Sequence, residues 1–443
     1  MAQKANKKEI GLFNSISFAV GAMVGGGVFV LSGLALKQTG PSAIISFVLA
    51  GIMVLISALS FAVIASCKNS KYSVYGIVGE ALGSEIWSFL TSWSFYLAGI
   101  IGAAFVLSAF GTYLSQFFLK GTSYLIWAIL GGIFLTLINL GPASIIARLE
   151  SLLVSIKVLI LFVLIYFGLK AFRLSQIHPF LPHGANQVLV TSAFLFIAFL
   201  GFNVITNISS EIKNPTKTIP KAIIYSMLIV TIIYAGVVIA LVAAKISTYS
   251  EASVGVAAQN LIGPVGGTLI IVGALISTLS SANANILGSS EIMIRMALDK
   301  QVPTKLAKIK HGHPYYSVIA GAIFYFILIL SNKTASVISL ANITAIVALI
   351  IVNLAAIRII KDKHYQAIKL PLGVLLPIIG AITAISQFFF MKSSNLLLGF
   401  ILVGLGLIVY GLRNKLHHLK TYSELKKLYS EIKGPLFRSF FSK

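Results

Sequence analysis

The sequence predicts an all-α integral membrane protein with twelve transmembrane helices, arranged as two inverted five-helix repeats followed by two additional helices. Three observations predict this fold class. The 443 residues are 58% hydrophobic and only 10% charged, whereas soluble domains carry about 25% charged residues. The apolar residues form continuous runs close to the roughly 20 residues that cross a bilayer as a helix. The first and the sixth run, at corresponding positions of the two halves, are both interrupted by glycine.

The apolar runs number twelve, and their continuity excludes a barrel of alternating strands. The basic leader 1–10 continues directly into the first run, so we expect no cleaved signal peptide. The third run is long for a single span and the ninth is short. The predicted spans are 11–36, 43–65, 86–118, 124–140, 149–172, 188–208, 222–244, 265–288, 314–330, 337–357, 372–391 and 396–412.

Membrane topology explains the net charge of +23. With twelve spans both termini lie on the same side of the bilayer. Of the 34 Lys and Arg residues, 26 fall on that side, seven on the opposite side and one, Lys157, inside the fifth span. Because cytoplasmic loops are enriched in Lys and Arg, we expect both termini in the cytoplasm. The sequence thus predicts a multi-pass protein of the cell inner membrane, embedded in the lipid bilayer, with no nucleic-acid partner.

The spans divide into two halves of similar length. The first five-helix repeat covers 11–172 and the second covers 188–357, and the chain enters them from opposite sides of the membrane. Inverted repeats of this kind are common in secondary transporters. Helices 11 and 12, within 372–412, lie outside the repeat. The basic tail 413–443 has leucines at helical spacing, which fits either a solvated cytoplasmic tail or an amphipathic helix on the membrane surface.

Three consecutive glycines, Gly25 to Gly27, interrupt the first span in the segment GAMVGGGVF. Each glycine costs about 1 kcal/mol relative to alanine inside a helix. A helix broken in mid-membrane frees backbone N–H groups that attract an anion and C=O groups that attract a cation. A zwitterion such as an amino acid offers both charges. The alternative is close helix packing through small residues, but the second interruption near Gly201 favours a binding site.

Lys157 lies near mid-bilayer, nine residues after Arg148 and thirteen before Lys170. A lysine at this depth costs at least roughly 2.5–3.5 kcal/mol on insertion scales, and desolvation disfavours its charged form. All His, Asp and Glu residues fall outside the span centres. Lys157 is therefore the mid-membrane group that we expect to exchange a proton at ordinary pH. The alternative, snorkelling to an interface, requires a long reach from this position.

Three segments resemble the amino acid–polyamine–organocation transporters. GAMVGGGVF is similar to the broken first helix of that family, and FIAFLGFNVITNISSEIKNPTKTIPKAI is similar to its sixth helix with the elements that follow. GALISTLSSANANILGSSEIMIRMALDKQVP is similar to its eighth helix and the next loop. The resemblance extends from about residue 10 to 415. It implies an amino-acid permease with an inverted repeat like that of the leucine transporter.

The resemblance also assigns roles to residues of the first and sixth spans. Backbone N–H groups would hold the substrate carboxylate, backbone carbonyls would hold its ammonium group, and aromatic rings would cover the site. For the rings, ordinary core or lipid packing is an equal alternative. The N–H groups belong to Gly25, Gly26 and Gly27. The carbonyls belong to Met23, Ile197 and Leu200, the last of which lies next to Gly201. The rings belong to Phe199 and to the gate candidates Phe196 and Phe202.

Side chains from the third, sixth and eighth spans are expected to select the substrate. Matching the third span to the family gives small residues, and the other two spans give neutral amides. Because no Asp or Glu lies at a span centre, neutral amino acids are favoured over dibasic ones. The small residues are Ala98, Gly99 and Ala103, and the amides are Asn203, Asn283 and Asn285.

Proton coupling is implied by the fifth span. RLESLLVSIKVLILF resembles the fifth helix of proton-coupled prokaryotic members, in which a lysine replaces the sodium ion of sodium-coupled relatives. The Lys157 ammonium would bridge carbonyls around Ala22 to the hydroxyl of Ser277 or Ser280. The expected partners are therefore an amino-acid substrate and protons.

Other functions remain as alternatives. Amino-acid exchange and cationic amino-acid transport are alternatives. A non-transporting sensor or scaffold on the same fold is a further one, which Glu291 and Lys300 allow because they depart from the family pattern in the loop after the eighth span. A channel is disfavoured because rings of charge and repeated filter loops are missing. No catalytic motif of the Ser/His/Asp or HExxH type is found, so neither an enzyme nor a metal site or cofactor is expected. Cys67 is the single cysteine, which excludes an internal disulfide.

Overall fold

The computed structural model describes residues 10–67, 74–140, 143–203, 205, 212–309, 314–370 and 372–412, with side chains described from residue 156 onward in the helix that begins at Ala143. The leader 1–9 and the tail 413–443 lie outside the described residues, so the two interpretations of the tail stay open. Within the described residues the chain is helical, and one isolated parallel bridge joins Ile10 to Ile212.

Fourteen α-helices are described, together with a π-helical turn at Gly27–Leu31 and a 3₁₀ helix at Phe196–Phe202. The α-helices are α1 Leu12–Met23, α2 Ser32–Thr39, α3 Ala43–Ala65, α4 Val74–Leu82, α5 Glu85–Phe117, α6 Tyr124–Leu140, α7 Ala143–Ala171, α8 Gly184–Leu195, α9 Pro215–Ala243, α10 Ser253–Leu298, α11 Tyr315–Leu330, α12 Thr334–Lys361, α13 Leu375–Ser386 and α14 Ser393–Gly411.

Seven helical stretches among the described residues are long and apolar enough to cross a membrane. Four shorter apolar helices accompany them, and α1 and α6 are among these. The all-helical membrane architecture is therefore confirmed, while the count of twelve spans stays a prediction. The seven stretches are Gly27–Ala65, Glu85–Phe117, Gly184–Phe202, Pro215–Ala243, Ser253–Leu298, Thr334–Lys361 and Ser393–Gly411.

Helix α5 lies at the centre of the fold. It packs against α10, α12, α6 and α11, while α9 packs against α3, α7 and α1. Small residues allow these close contacts: a Cβ on Gly111 of α5 would lie 2.2 Å from the carbonyl oxygen of Tyr124 on α6. Because small residues such as Gly111 let two helix backbones come nearly into contact, the central helices pack densely and form a rigid support for a site.

The first span is interrupted at the predicted place. Helix α1 ends at Met23, and Val24 leaves the helical region with φ −75° and ψ 85°. The N–H of Gly25 donates to the carbonyl of Met23 at 2.9 Å, which makes Val24 the centre of an inverse γ-turn. Helical backbone resumes as a π-helical turn at Gly27 and continues into α2.

Over its described residues up to Asn203, the sixth span stays helical but changes its winding. Helix α8 ends at Leu195 and continues as the 3₁₀ helix Phe196–Phe202, after which Asn203 keeps right-handed dihedrals. The expected interruption near Gly201 is therefore corrected: the change begins at Phe196 and is a tightening of the helix. A 3₁₀ stretch in mid-helix often marks a hinge or a sequence under strain.

The eighth span is longer than predicted. Helical structure covers Ser253–Leu298, where the sequence predicted 265–288, and a kink at Gly263, with φ 85°, divides it. Only glycine adopts this positive φ readily, and Pro264 follows because it suits the start of a new helical segment. The segment from Ser253 to Ile262 is thus a separate short helix before the apolar span.

Candidate functional site

A cavity of about 130 Å³ lies between the end of α1, the 3₁₀ helix, α5 and α10. For comparison, an engineered apolar cavity of about 150 Å³ in another protein holds benzene. Ten residues singled out from the sequence line it. They are Ala22, Met23, Gly27, Ala98, Gly99, Ile197, Leu200, Gly201, Asn203 and Asn285.

The two long helices each contribute one face to the cavity wall. The face of α5 runs from Phe95 to Val106, and that of α10 runs from Ser281 to Ile292, with positions three and four residues apart in both cases. This spacing places side chains on one side of a helix. None of the described residues that line the cavity carries a charge, so its polarity comes from backbone groups, amides and hydroxyls.

The main chains of the 3₁₀ helix and of the end of α1 approach each other closely where the first and sixth spans cross. A Cβ on Gly201 would lie 2.6 Å from both the carbonyl carbon of Ala22 and the nitrogen of Met23. No side chain could move aside to relieve that contact, because the opposing atoms belong to the main chain. Gly201 is therefore required by the close approach of the 3₁₀ helix to the end of α1.

Gly25 and Gly26 pack against the long helices and do not line the cavity. A Cβ on Gly25 would lie 2.4 Å from Oγ of Ser281, and a Cβ on Gly26 would lie 2.7 Å from Cγ1 of Val106. The N–H of Gly25 is already used in the γ-turn with Met23. Of the three glycines, Gly27 alone both borders the cavity and begins the new helical segment.

Tyr234 of α9 links the end of α1 to the 3₁₀ helix. Its hydroxyl lies 2.7 Å from the carbonyl oxygen of Met23 and 2.9 Å from that of Ala198. The Met23 carbonyl thus has the γ-turn N–H and this hydroxyl as partners, which occupies both of its lone pairs. Sequence reasoning missed Tyr234, since the only signal is that a buried tyrosine hydroxyl needs a partner.

The three phenylalanines of the 3₁₀ helix are fully buried, and none of them lines the cavity. Phe199 stacks edge-on against Tyr234, with ring centroids 5.2 Å apart. The ring centroids of Phe202 and Phe61 are 6.1 Å apart. Phe196 is also buried in the core. The structure places them in core packing, and Phe95 and Phe105 are the aromatic residues on the cavity wall.

Two further residues singled out from the sequence lie off the cavity. Ala103 is buried in the core, and Asn283 accepts a hydrogen bond from Nδ2 of Asn139 at 2.7 Å. Asn283 therefore joins α10 to α6, and the amides available in the cavity are Asn203 and Asn285.

Lys157 is 1% exposed, and its Nζ donates to the carbonyl oxygen of Gly21 at 2.6 Å. Gly21 lies in the last turn of α1, where carbonyls have no partner within the helix. The contact falls one residue before the expected Ala22. Ser277 and Ser280 are both buried on α10, and Oγ of Ser277 finds no hydrogen-bond partner among the described residues.

A carboxyl group outside the spans belongs to the loop before α10. Oε2 of Glu251 accepts a hydrogen bond from the Thr112 hydroxyl of α5 at 3.1 Å. Burial raises the pKa of this carboxyl, and hydrogen bonds from Thr112 and Thr334 and the positive charge of Lys37 act in the opposite direction. Glu251 therefore joins the loop to α5 and α12 through a partly buried carboxyl. Among the described residues no cluster of His, Cys, Asp or Glu could hold a metal ion.

These observations define a multi-pass helical membrane protein with a small central cavity at the interrupted first span and the 3₁₀ part of the sixth, lined among the described residues by uncharged side chains. Residues 14–419 match the family described as Amino acid permease, and the chain belongs to that family. The resemblance to amino acid–polyamine–organocation transporters is thereby confirmed, and the protein is a membrane permease.

Relatives of similar length carry transporter names. The inner membrane transport protein YbaT of Escherichia coli (strain K12) is 27% identical over 92% of this chain and 97% of its own. The branched-chain amino acid permease BcaP of Bacillus subtilis (strain 168) is 28% identical over 94% of this chain and 95% of its own. The serine/threonine exchanger SteT of the same organism is 28% identical over 91% and 94%.

Proposed function

We propose that the protein is a proton-coupled symporter of neutral amino acids that works by alternating access. The observation that carries this proposal is the cavity at the crossing of α1 and the 3₁₀ helix, where main-chain polar groups are available and none of the lining residues that the structure describes is charged. An amino-acid backbone is a zwitterion that suits such groups, and the uncharged wall suits a neutral side chain.

The cavity geometry supports a refined set of contacts. The substrate carboxylate would lie at the N–H group of Gly27, which borders the cavity at the start of the helical segment that continues through α2, where the helix dipole favours an anion. The ammonium group would lie at the carbonyls of Ala22, Ile197 and Leu200, which border the cavity. Met23 and Gly25 are less suited because they already bond each other.

Lys157 would couple proton movement to transport. Its amine contacts the last turn of α1, the helix whose end borders the cavity. When protonated, the amine would hold α7 to α1, and proton loss would weaken that contact and favour the change between states. The proton would take the place that a sodium ion has in other transporters.

The wider architecture belongs to the same proposal. Twelve spans would form two inverted five-helix repeats over 11–172 and 188–357, with 372–412 added and both termini in the cytoplasm. Support comes from the interruption of the first span after Met23 and the change of winding in the sixth span at Phe196, because transporters with inverted repeats bind substrate where such paired helices depart from regular α-helix.

Exchange is the second candidate, and the 28% identity to a serine/threonine exchanger over 91% of this chain favours it. Uptake into proteoliposomes containing the purified protein separates the two. A symporter accumulates a neutral amino acid under an inward proton gradient with empty vesicles, whereas an exchanger requires an amino acid inside. Binding without flux under any condition would instead indicate a sensor, and preferred uptake of lysine or arginine would indicate a cationic permease.

A further inference from the structure

The hydroxyl of Ser289 is a buried polar group in the cavity wall without a hydrogen-bond partner among the described residues. Ser289 is 2% exposed. A buried hydroxyl without a partner is costly, about 1–3 kcal/mol, and most buried polar atoms in proteins are satisfied. The neighbouring Ser290 follows that rule, because its hydroxyl donates to the carbonyl of Ile286 at 2.8 Å.

The Ser289 hydroxyl lies at the wall between α10 and α5. A Cβ on Gly99 of α5 would lie 2.1 Å from this oxygen, so the hydroxyl occupies space that the glycine leaves empty. Both residues border the cavity. A serine side chain has three staggered rotamers, so rotation about the Cα–Cβ bond is the movement by which the hydroxyl would turn from Gly99 toward a ligand in the cavity.

The position of Ser289 along the helix sets its distance from the interruption of the first span. Ser281 packs against Gly25 and so marks the level of that interruption. Ser289 lies two turns further along α10, which is about 12 Å at about 1.5 Å per residue. On the facing helix, Gly99 and Val106 mark the same two levels, about 10 Å apart.

This distance selects for side-chain length. An extended carbon chain advances about 1.25 Å per bond, from bonds of about 1.5 Å at about 111°. Five bonds separate a glutamine amide nitrogen from the carboxylate carbon, and with a hydrogen bond of about 3 Å its reach is about 9 Å, which approaches the separation of about 10 Å between the levels of Val106 and Gly99 on α5. A threonine hydroxyl, three bonds away, reaches about 7 Å, which is nearer to the level of Asn285, one turn from Ser281.

We propose that Ser289 forms a second polar subsite, which selects neutral amino acids whose side chain is at least as long as that of glutamine and ends in an uncharged hydrogen-bonding group. The inference rests on the proposed function, because it takes the carboxylate to lie at the interruption of the first span. A charged terminus fits less well, since no carboxylate or cation in the described part of the chain borders the cavity to pair with it.

The test compares the binding of amino acids of matched length to purified protein. Glutamine and methionine form the long pair, and threonine and valine form the short pair. Wild type should bind glutamine about tenfold more tightly than methionine, the ratio that one good hydrogen bond supplies. Ser289→Ala should bring the glutamine-to-methionine ratio close to one and change the threonine-to-valine ratio less than about twofold.

Ser290→Ala is the matched control, because it removes a buried hydroxyl from the same helix outside the cavity, and it should leave both ratios as in wild type. If Ser289→Ala is not monodisperse, Ser289→Cys repeats the test with a similar volume and a weaker donor. A glutamine-to-methionine ratio near one in wild type, or one that Ser289→Ala leaves unchanged, overturns the inference alone. Wild type that binds none of the four amino acids overturns the proposed function and the inference together.

Discussion

The hydroxyl oxygen of Tyr234 lies 2.7 Å from the carbonyl oxygen of Met23, the last residue of α1. The same hydroxyl lies 2.9 Å from the carbonyl oxygen of Ala198 in the 3₁₀ helix. One side chain of α9 therefore reaches both the end of α1 and the 3₁₀ part of the sixth span. The relative position of the two spans depends on this group.

Tyr234→Phe should lower the stability of the folded protein. The change removes one donor and leaves two buried carbonyls with fewer partners, which costs about 1–2 kcal/mol. A lower midpoint of thermal unfolding in detergent checks this. Tyr316→Phe is the control, because Tyr316 is 44% exposed, and its midpoint should match that of wild type. A midpoint for Tyr234→Phe equal to that of the control would contradict the bridging role.

Gly201→Ala should separate the 3₁₀ helix from α1 and greatly reduce the yield of folded protein or its substrate binding. The added Cβ would lie 2.6 Å from main-chain atoms of Ala22 and Met23, which cannot rotate away. Gly288→Ala is the matched control: Gly288 also borders the cavity, but its Cβ would meet nothing within 4 Å. Monodispersity and thermal stability should be normal for that variant. Equal stability and equal substrate binding in the two variants would show that the close approach is absent.

Lys157→Ala should abolish the accumulation of substrate that an inward proton gradient drives. Substrate binding should persist, because the proposed carboxylate and ammonium contacts come from backbone groups. Uptake and binding are measured separately, in proteoliposomes and in detergent. Lys170→Ala is the control on the same helix, since Lys170 lies over the ring of Tyr166 away from α1. Accumulation by Lys157→Ala at the wild-type level, or wild-type uptake that requires sodium and ignores pH, would refute the coupling role.

Glu251 should make folding stability depend on pH. Because burial raises the pKa of its carboxyl, the folded state binds the proton more tightly than the unfolded state does. The stabilisation is fully present below the ordinary carboxyl pKa of 4.5 and is lost as pH rises through the raised pKa. Glu251→Gln keeps an acceptor for Thr112 and does not titrate. As pH rises through the raised pKa of Glu251, wild type should therefore lose stability while the variant does not, and the variant should become more stable relative to wild type.

Thr112→Val provides the second arm of the Glu251 experiment. It removes a hydrogen bond that lowers the pKa of the carboxyl, so the pH dependence of the midpoint of thermal unfolding should extend to higher pH than in wild type. A constant difference between Glu251→Gln and wild type at every pH would contradict the assignment.

The sequence predicted those features that depend on local pattern. The run 124–140 became α6 with the same limits, since an uninterrupted apolar segment of this length has few alternatives to a helix in a membrane. The glycines at 25 to 27 predicted the end of α1 within two residues. Lys157 was predicted to contact α1 and does so at Gly21.

Side-chain direction and hydrogen-bond partners could not be predicted in the same way. Phe199 was a candidate for covering the site, but the winding of the 3₁₀ helix turns its ring toward Tyr234. The carbonyl of Met23 was a candidate for the ammonium group, but a γ-turn and a tyrosine from another helix occupy it. Both outcomes follow from tertiary contacts that no local pattern records.

The bridge between Ile10 and Ile212 gives the molecule a natural reporter of opening. The N–H of Lys213 donates to the carbonyl of Ile10 at 2.9 Å, which ties the residues just before α1 to those just before α9. If α1 swings outward during the transport cycle, this amide loses its acceptor and meets solvent. The rate at which the Lys213 amide exchanges its hydrogen for deuterium then measures how often α1 departs, without any label attached to the chain.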